Sequence, residues 1–296
     1  MSLIIQKTKA DRVTDVVLYG ILTVFGLVTL FPFYYVIVMS MTPLKEIISS
    51  GGFVLLPKQW TLEAYRIIFS SPTIPQALKI TVIVTVLGTT LSLLLTILAA
   101  YPLSKTYIPG RNGILLAIVF TMLFSGGLIP LYLVVNGLGL MNTIWALILP
   151  GLISTFNMLV MKTFFEHLPV ELEEAARVDG CGDWRTLLQI VLPLSVPMLV
   201  TIGLFYGVAN WNAYFGGIMY ITDRGLYPLQ VVLKNMIQTP NIGSELVVQN
   251  AQSLNQLPPE TVKMATVVVA TLPIIIVYPF LQKYFIKGML IGAIKG

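Results

Sequence analysis

Long apolar stretches alternate with short polar ones along this chain, and the alternation predicts its elements. The apolar stretches cover residues 16–41, 77–104, 113–134, 143–165, 195–221 and 264–285. Each is long enough to cross a hydrocarbon layer, which takes about 20 residues of helix. Some are interrupted. Ser125, Gly126, Gly127 and Pro130 break the far end of the third, and Pro150, Gly151 and Asn157 fall inside the fourth. Pro273 and Pro279 lie within the sixth. Irregular backbone at such depth is tolerated where protein covers it or where it lines a wet cavity. Gly88 with Thr89 and Thr90, and the pair Gly203 and Gly207, offer small surfaces for close helix contact. The predicted fold is all-α: a polytopic membrane protein of six transmembrane helices, with both termini on the cytoplasmic side. One transmembrane domain over 13–296 follows a short tail, 1–12.

The polar stretches differ in character. Residues 42–76 are predicted to be external, with a short amphipathic helix at TLEAYRIIF and with Trp60 and Tyr65 at headgroup level. Residues 136–142 form a short external turn, and 222–263 a long external loop rich in Asn, Gln and Pro. The most charged stretch is the loop at 166–193, with Glu174, Arg177, Asp179, Asp183 and Arg185 close together. It reads as two short helices. Pro169 with Glu171, Glu173 and Glu174 suits a helix start. Gly180 suits a left-handed stop. Leu187, Leu188 and Val191 then give the second piece an apolar stripe. On these features alone, the loop is equally a solvated connection or a docking element.

Composition agrees with the membrane reading: 56% of residues are hydrophobic and 10% charged, and mean hydropathy is +0.86. The net charge of +5 is explained by basic residues gathered on the side of the termini, among them Lys7, Lys105, Arg111 and Lys295. It therefore does not point to nucleic acid. The single cysteine, Cys181, excludes an internal disulfide and offers no metal cluster. The single histidine, His167, sits at a span end beside acidic residues and reads as an interfacial polar group. A phosphate-binding Gly-Lys-Ser/Thr loop is absent. This composition is a poor match to an enzyme, which needs a nucleophile with its base or a ligand set. It is equally poor for an ion-driven secondary transporter, which favours ionisable groups inside its spans.

The loop resembles the signature of binding-protein-dependent ABC importer permeases, known as the EAA motif. Glu174-Ala175-Ala176, three residues, Gly180, nine residues, Ile190, one residue and Leu192-Pro193 reproduce its spacing throughout. Two other runs, SGGLIPLYLVVNGLGLMNT at 125–143 and KYFIKGMLIGAIKG at 283–296, look like those of carbohydrate permeases. The first resembles the second permease of systems for aldouronates, alginate oligosaccharides and other polysaccharide fragments. The signature is shared by importers of other solutes, which stand as the alternative.

The resemblance implies a multi-pass subunit of the bacterial cytoplasmic membrane. Its implied partners are a second permease subunit, two ATP-binding subunits, an extracytoplasmic solute-binding protein, a carbohydrate substrate and membrane lipid. This chain itself would bind no cofactor; ATP and Mg would sit on the partner ATPase. The loop helix would insert into a groove of that ATPase, with Glu174, Ala175, Ala176, Asp179, Gly180, Trp184 and Leu187 as coupling residues and Val178 as a further apolar anchor. A sugar path needs polar and aromatic groups inside the membrane. The candidates are Asn157, Tyr206, Asn210, Trp211, Asn212 and Tyr214. The loop at 222–263 would face the binding protein, and Arg66, Arg224 and Lys234 would attract an acidic sugar.

Overall fold

The computed structural model describes residues 9–238 and 259–293. Lys7, Lys295 and the middle of the expected 222–263 loop lie outside the described residues. The chain divides into two compact units: Met1–Ser71 with Thr239–Val269, and Pro72–Gln238 with Ala270–Gly296. Among the described residues every regular element is helical.

In the first unit, helix α1 covers Lys9–Ser40, about 48 Å at 1.5 Å per residue. Its length exceeds the hydrocarbon thickness, and its apolar side chains from Val13 to Phe33 are exposed, as lipid would require. Only its end is packed: Val38 and Met39 join Ile47, Val54, Tyr35 and Met264 in a small core. Two short helices follow, α2 at Leu44–Ser49 and α3 at Glu63–Ser70. The amphipathic segment expected at 61–69 is thus helical. It buries Ala64, Ile67 and Ile68, the spacing of one helix face. The Tyr65 and Ser40 hydroxyls, 2.7 Å apart, and the Tyr34 hydroxyl donating to the Leu55 carbonyl at 2.5 Å tie the segment together.

The second unit is built around helix α4, Thr73–Ser104. It is followed by α5 at Arg111–Leu123 and α6 at Leu128–Gly137, bent from each other by 110°. The break falls at Ser125–Gly127, where Gly127 takes φ +87°. This region of the map penalises a Cβ. Next come α7 at Ile144–Ile148, a 3-10 turn at Leu149–Gly151 and α8 at Thr155–Glu166, with a 52° bend. Both interruptions expected from Gly and Pro are therefore real breaks. Pro150 is the second residue of the 3-10 turn, and the Ser154 hydroxyl caps α8 by accepting from the Asn157 N–H.

The loop at 166–193 forms α9 at Val170–Val178, α10 at Asp183–Thr186, a π-helical turn at Leu187–Val191 and α11 at Leu192–Leu194. Helix α12, Val196–Trp211, leaves at 82°. Then follow α13 at Phe215–Tyr220, a 3-10 turn at Arg224–Leu226 and α14 at Leu229–Gln238. Helix α15, Pro259–Ala293, continues through Pro273 and Pro279. Asp11–Ser40, Thr73–Ser104 and Glu260–Phe280 are long and apolar enough to cross a membrane, and three bent pairs are so if each counts as one span.

Helix α4 packs along α12 and α8, and the small residues make this possible. A Cβ on Gly88 would stand 2.8 Å from the Asn210 amide nitrogen of α12. Gly207 faces the Thr89 hydroxyl and Gly203 faces Leu93. Below this seam lies a core of Ala100, Tyr101, Leu103, Met158, Met161, Phe165, Leu187, Val191, Ile202 and Tyr206. At the other end, Asn142 stitches two connections: its side-chain oxygen accepts from the backbone N–H groups of Thr222 at 2.6 Å and Asp223 at 3.1 Å. Leu229 N–H donates to the Thr81 hydroxyl at 2.8 Å, which fixes α14 on α4.

Candidate functional site

The helix α9 has acidic residues in its first turn, Glu171 and Glu173, and Arg177 in its last, as the helix dipole favours. Pro169 stands one residue before the helix, at its N-cap, where its fixed φ sets the entry and no N–H is wasted. The C-terminal stop is a Schellman motif. Cys181 N–H donates to the Ala176 carbonyl at 2.9 Å, and Gly180 N–H to the Arg177 carbonyl at 3.0 Å. Gly180 adopts φ +80°, the left-handed position that this motif reserves for glycine. The chain therefore reverses within four residues and starts α10.

The two faces of α9 differ. Ala176 is buried, and Glu173 points inward to an ion pair with Lys105. Their side chains are 11% and 16% exposed. Glu174, Ala175, Val178 and Asp179 face outward. Glu174 forms no hydrogen bond or ion pair with any described residue, and as the fifth residue of α9 it lies beyond reach of the helix's N-terminal N–H groups. Val178 is 87% exposed and Trp184 68%. Arg177 and Asp183 stand 3.6 Å apart across the turn, a solvated pair that adds little stability. Trp184 borders a cleft of about 210 Å³ whose wall includes Tyr101, Lys105, Tyr107, Asp183 and Leu187.

Leu187 is placed differently from the apolar anchor expected of it. Only 2% exposed, it lies with Val191 in the chain's own core against Phe165 and Met161. Leu188, 60% exposed, faces out instead. Both lie in the π turn Leu187–Val191, where Leu187 and Val191, four residues apart, share the buried face and Leu188 does not. Of the expected coupling residues and the further anchor Val178, those exposed on the loop are Glu174, Ala175, Val178, Asp179, Gly180 and Trp184. Ala176 and Leu187 hold the loop to the body.

Of the six candidates for a polar path, several are tied to neighbouring helices. The Tyr206 hydroxyl accepts from the Ser154 N–H at 3.0 Å and lies 2.7 Å from the Thr96 hydroxyl. This joins α4 and α12 to the break before α8. The Asn210 amide donates to the Thr89 hydroxyl at 3.3 Å. Trp211 is buried and gives its ring N–H to the Ala270 carbonyl of α15 at 3.0 Å. Asn212 is exposed, donates to the Val208 carbonyl at 2.9 Å and accepts from Gln230 at 3.4 Å. The side chains of Asn157, buried in α8, and Tyr214, half-buried, bond to no described residue. Tyr206, Asn210 and Asn157 lie among the packed α4, α8 and α12. Trp211 meets α15, and Asn212 and Tyr214 stand past the end of α12.

Three contacts near the loop were not readable from the sequence. Lys105 pairs with Glu173, Arg111 with Glu166, and the Arg177 guanidinium lies 5.1 Å from the centre of the Tyr107 ring. The Lys162–Glu166 pair, at 2.7 Å, and the Arg185–Gln189 hydrogen bond, at 3.1 Å, have an i,i+4 signature.

Apolar helices long enough to cross a membrane, three bent helix pairs and a charged helix–turn–helix fit a membrane transport protein. Residues 3–291 match the family described as the binding-protein-dependent transport system inner membrane component, and the chain belongs to it. It is 46% identical over 293 residues to protein LplC of Bacillus subtilis (strain 168), covering 98% of each chain. It is 44% identical to the polygalacturonan/rhamnogalacturonan transport system permease protein YtcP of the same organism, covering 97% of this chain and 99% of that one. One chain in the crystal structure of a bacterial ABC transporter involved in the import of the acidic polysaccharide alginate has the same fold. The TM-score is 0.85 at 32% identity, covering 95% of this chain and 99% of that one. The protein is thus an ABC transport permease.

Proposed function

We propose that this chain forms half of the translocation path of an ATP-driven importer for an acidic oligosaccharide or polysaccharide fragment. The path crosses the bacterial cytoplasmic membrane in six spans, three straight and three bent, with the termini and the 166–193 loop in the cytoplasm. A second permease subunit completes the path, two ATP-binding subunits hold ATP and Mg, and an extracytoplasmic binding protein delivers the sugar. The observation that carries this reading is the outward face of α9 and α10. Large apolar side chains, Val178 and Trp184, stand exposed beside the unpaired Glu174 on a loop locked by its own Schellman turn. Exposed aromatic and apolar anchors on a preordered element are what a partner groove needs.

The substrate class is supported by the descriptions of two similar proteins, a polygalacturonan/rhamnogalacturonan permease and a chain of an alginate importer, and by the cations Arg66 and Lys234 on stretches read from the sequence as external. Asn157 and Tyr214 are the path residues with hydrogen-bonding groups to spare. Tyr206, Asn210 and Trp211 hold the path walls. The test is purification of the complex from membranes followed by uptake in proteoliposomes. The expected result is co-purification with an ATPase subunit and a second permease, and uptake of uronate oligosaccharides that needs ATP and the binding protein. Uptake by this chain alone on an ion gradient would overturn the proposal.

A further inference from the structure

We propose that the connection between α4 and α5, residues 105–110, is a strap that fastens α9 to those two helices, with Lys105, Tyr107 and Arg111 as positioning residues for energy coupling. Three contacts from this short segment and the first residue of α5 reach the loop at successive points. Arg111 pairs with Glu166 just before α9. Lys105 pairs with Glu173 in its middle. Tyr107 lies under Arg177 in its last turn. Arg111 also donates from Nε to the Leu103 carbonyl at 2.7 Å, and Lys105 lies 4.6 Å over the Tyr101 ring. The same side chains therefore grip the end of α4 and the loop. Both ion pairs are shielded, with side chains 11–26% exposed; Glu173 relies on Lys105, while Glu166 is shared between Arg111 and Lys162.

The geometry gives the strap a mechanical role. The outward face of α9 is free, while Lys105 holds its middle, Tyr107 its last turn and Arg111 the chain just before it. A displacement imposed from outside moves α9 together with the ends of α4 and α5 and does not peel it away. Helix α4 is the one against which α8 and α12 pack, so the displacement reaches the walls of the path. This inference rests on the reading of α9 as the ATPase-docking helix.

The experiment measures sugar transported per ATP hydrolysed by the full complex in proteoliposomes. Glu173→Lys, with Glu173→Gln as the milder variant, is compared with the swap Lys105→Glu/Glu173→Lys and with Gly180→Leu. The expected result is a ratio lowered at least about fivefold by either Glu173 variant with the ATPase still bound, and restored to within about twofold by the swap. A merely structural role would lower the yield of complex and leave the ratio unchanged. An unchanged ratio at Glu173, or a swap as uncoupled as Glu173→Lys, overturns the strap when Gly180→Leu is uncoupled. An unchanged ratio at both Glu173 and Gly180 overturns the docking reading, and the strap with it.

Discussion

Tyr206 and Gly180 show how single residues constrain this protein. Tyr206 sits at a junction of three helices, where its hydroxyl satisfies the Ser154 N–H at the break before α8. Tyr206→Phe keeps the ring and removes that acceptor. A buried N–H left without a partner costs about 1–3 kcal/mol. The expected outcome is a lower melting temperature of the purified complex in detergent; an unchanged one shows that Ser154 finds another acceptor. Gly180 is constrained by backbone, since φ +80° disfavours any side chain by about 1 kcal/mol or more. Its role was legible in the sequence because helix stops of this kind follow a local rule. The Lys105–Glu173 pair was not, because 68 residues separate its partners and no local rule joins them.

Among the elements, the α9–α10 hairpin presents a surface that is separable from its stability. Val178 is 87% exposed and Trp184 68%, so changing them removes little packing in this chain. Val178→Asp and Trp184→Ala are each expected to leave the melting temperature unchanged. Retention of the ATPase on an affinity column is expected to fall about tenfold or more, the effect of losing an interface anchor worth about 2 kcal/mol. Full retention in both variants would place the docking surface elsewhere. The inward side of the same element is built by Ala176, Leu187 and Val191. The outward reading of Leu187 came from the family resemblance; periodicity put Leu187, Leu188 and Val191 on one apolar stripe, of which Leu187 and Val191 are buried and Leu188 is exposed.

At the scale of the whole molecule, the polar groups among the packed helices divide into those bonded to another helix and those that are not. Asn210, Tyr206 and Trp211 bond to other helices. Asn157 is buried in α8 with its amide unbonded to any described residue. Asn157→Ala is expected to lower oligosaccharide uptake about fivefold, the worth of one hydrogen bond of about 1 kcal/mol, with unchanged thermal stability and ATPase association. A large loss of stability with no selective loss of uptake would assign Asn157 to packing.

The sequence by itself determined the class of this protein. Apolar length is a property of consecutive residues, so the helices and their breaks at Gly127 and Pro150 could be counted along the chain. The Glu174–Pro193 spacing is likewise a one-dimensional pattern, and it marked the family. Only the tertiary structure decided which side of each element faces what. It turned Leu187 inward and Trp184 outward, gave the Tyr206 hydroxyl to Ser154 and Thr96, and brought Lys105, Tyr107 and Arg111 onto α9. Those outcomes depend on contacts between residues far apart in sequence, set by how helices pack and where their backbone departs from ideal geometry.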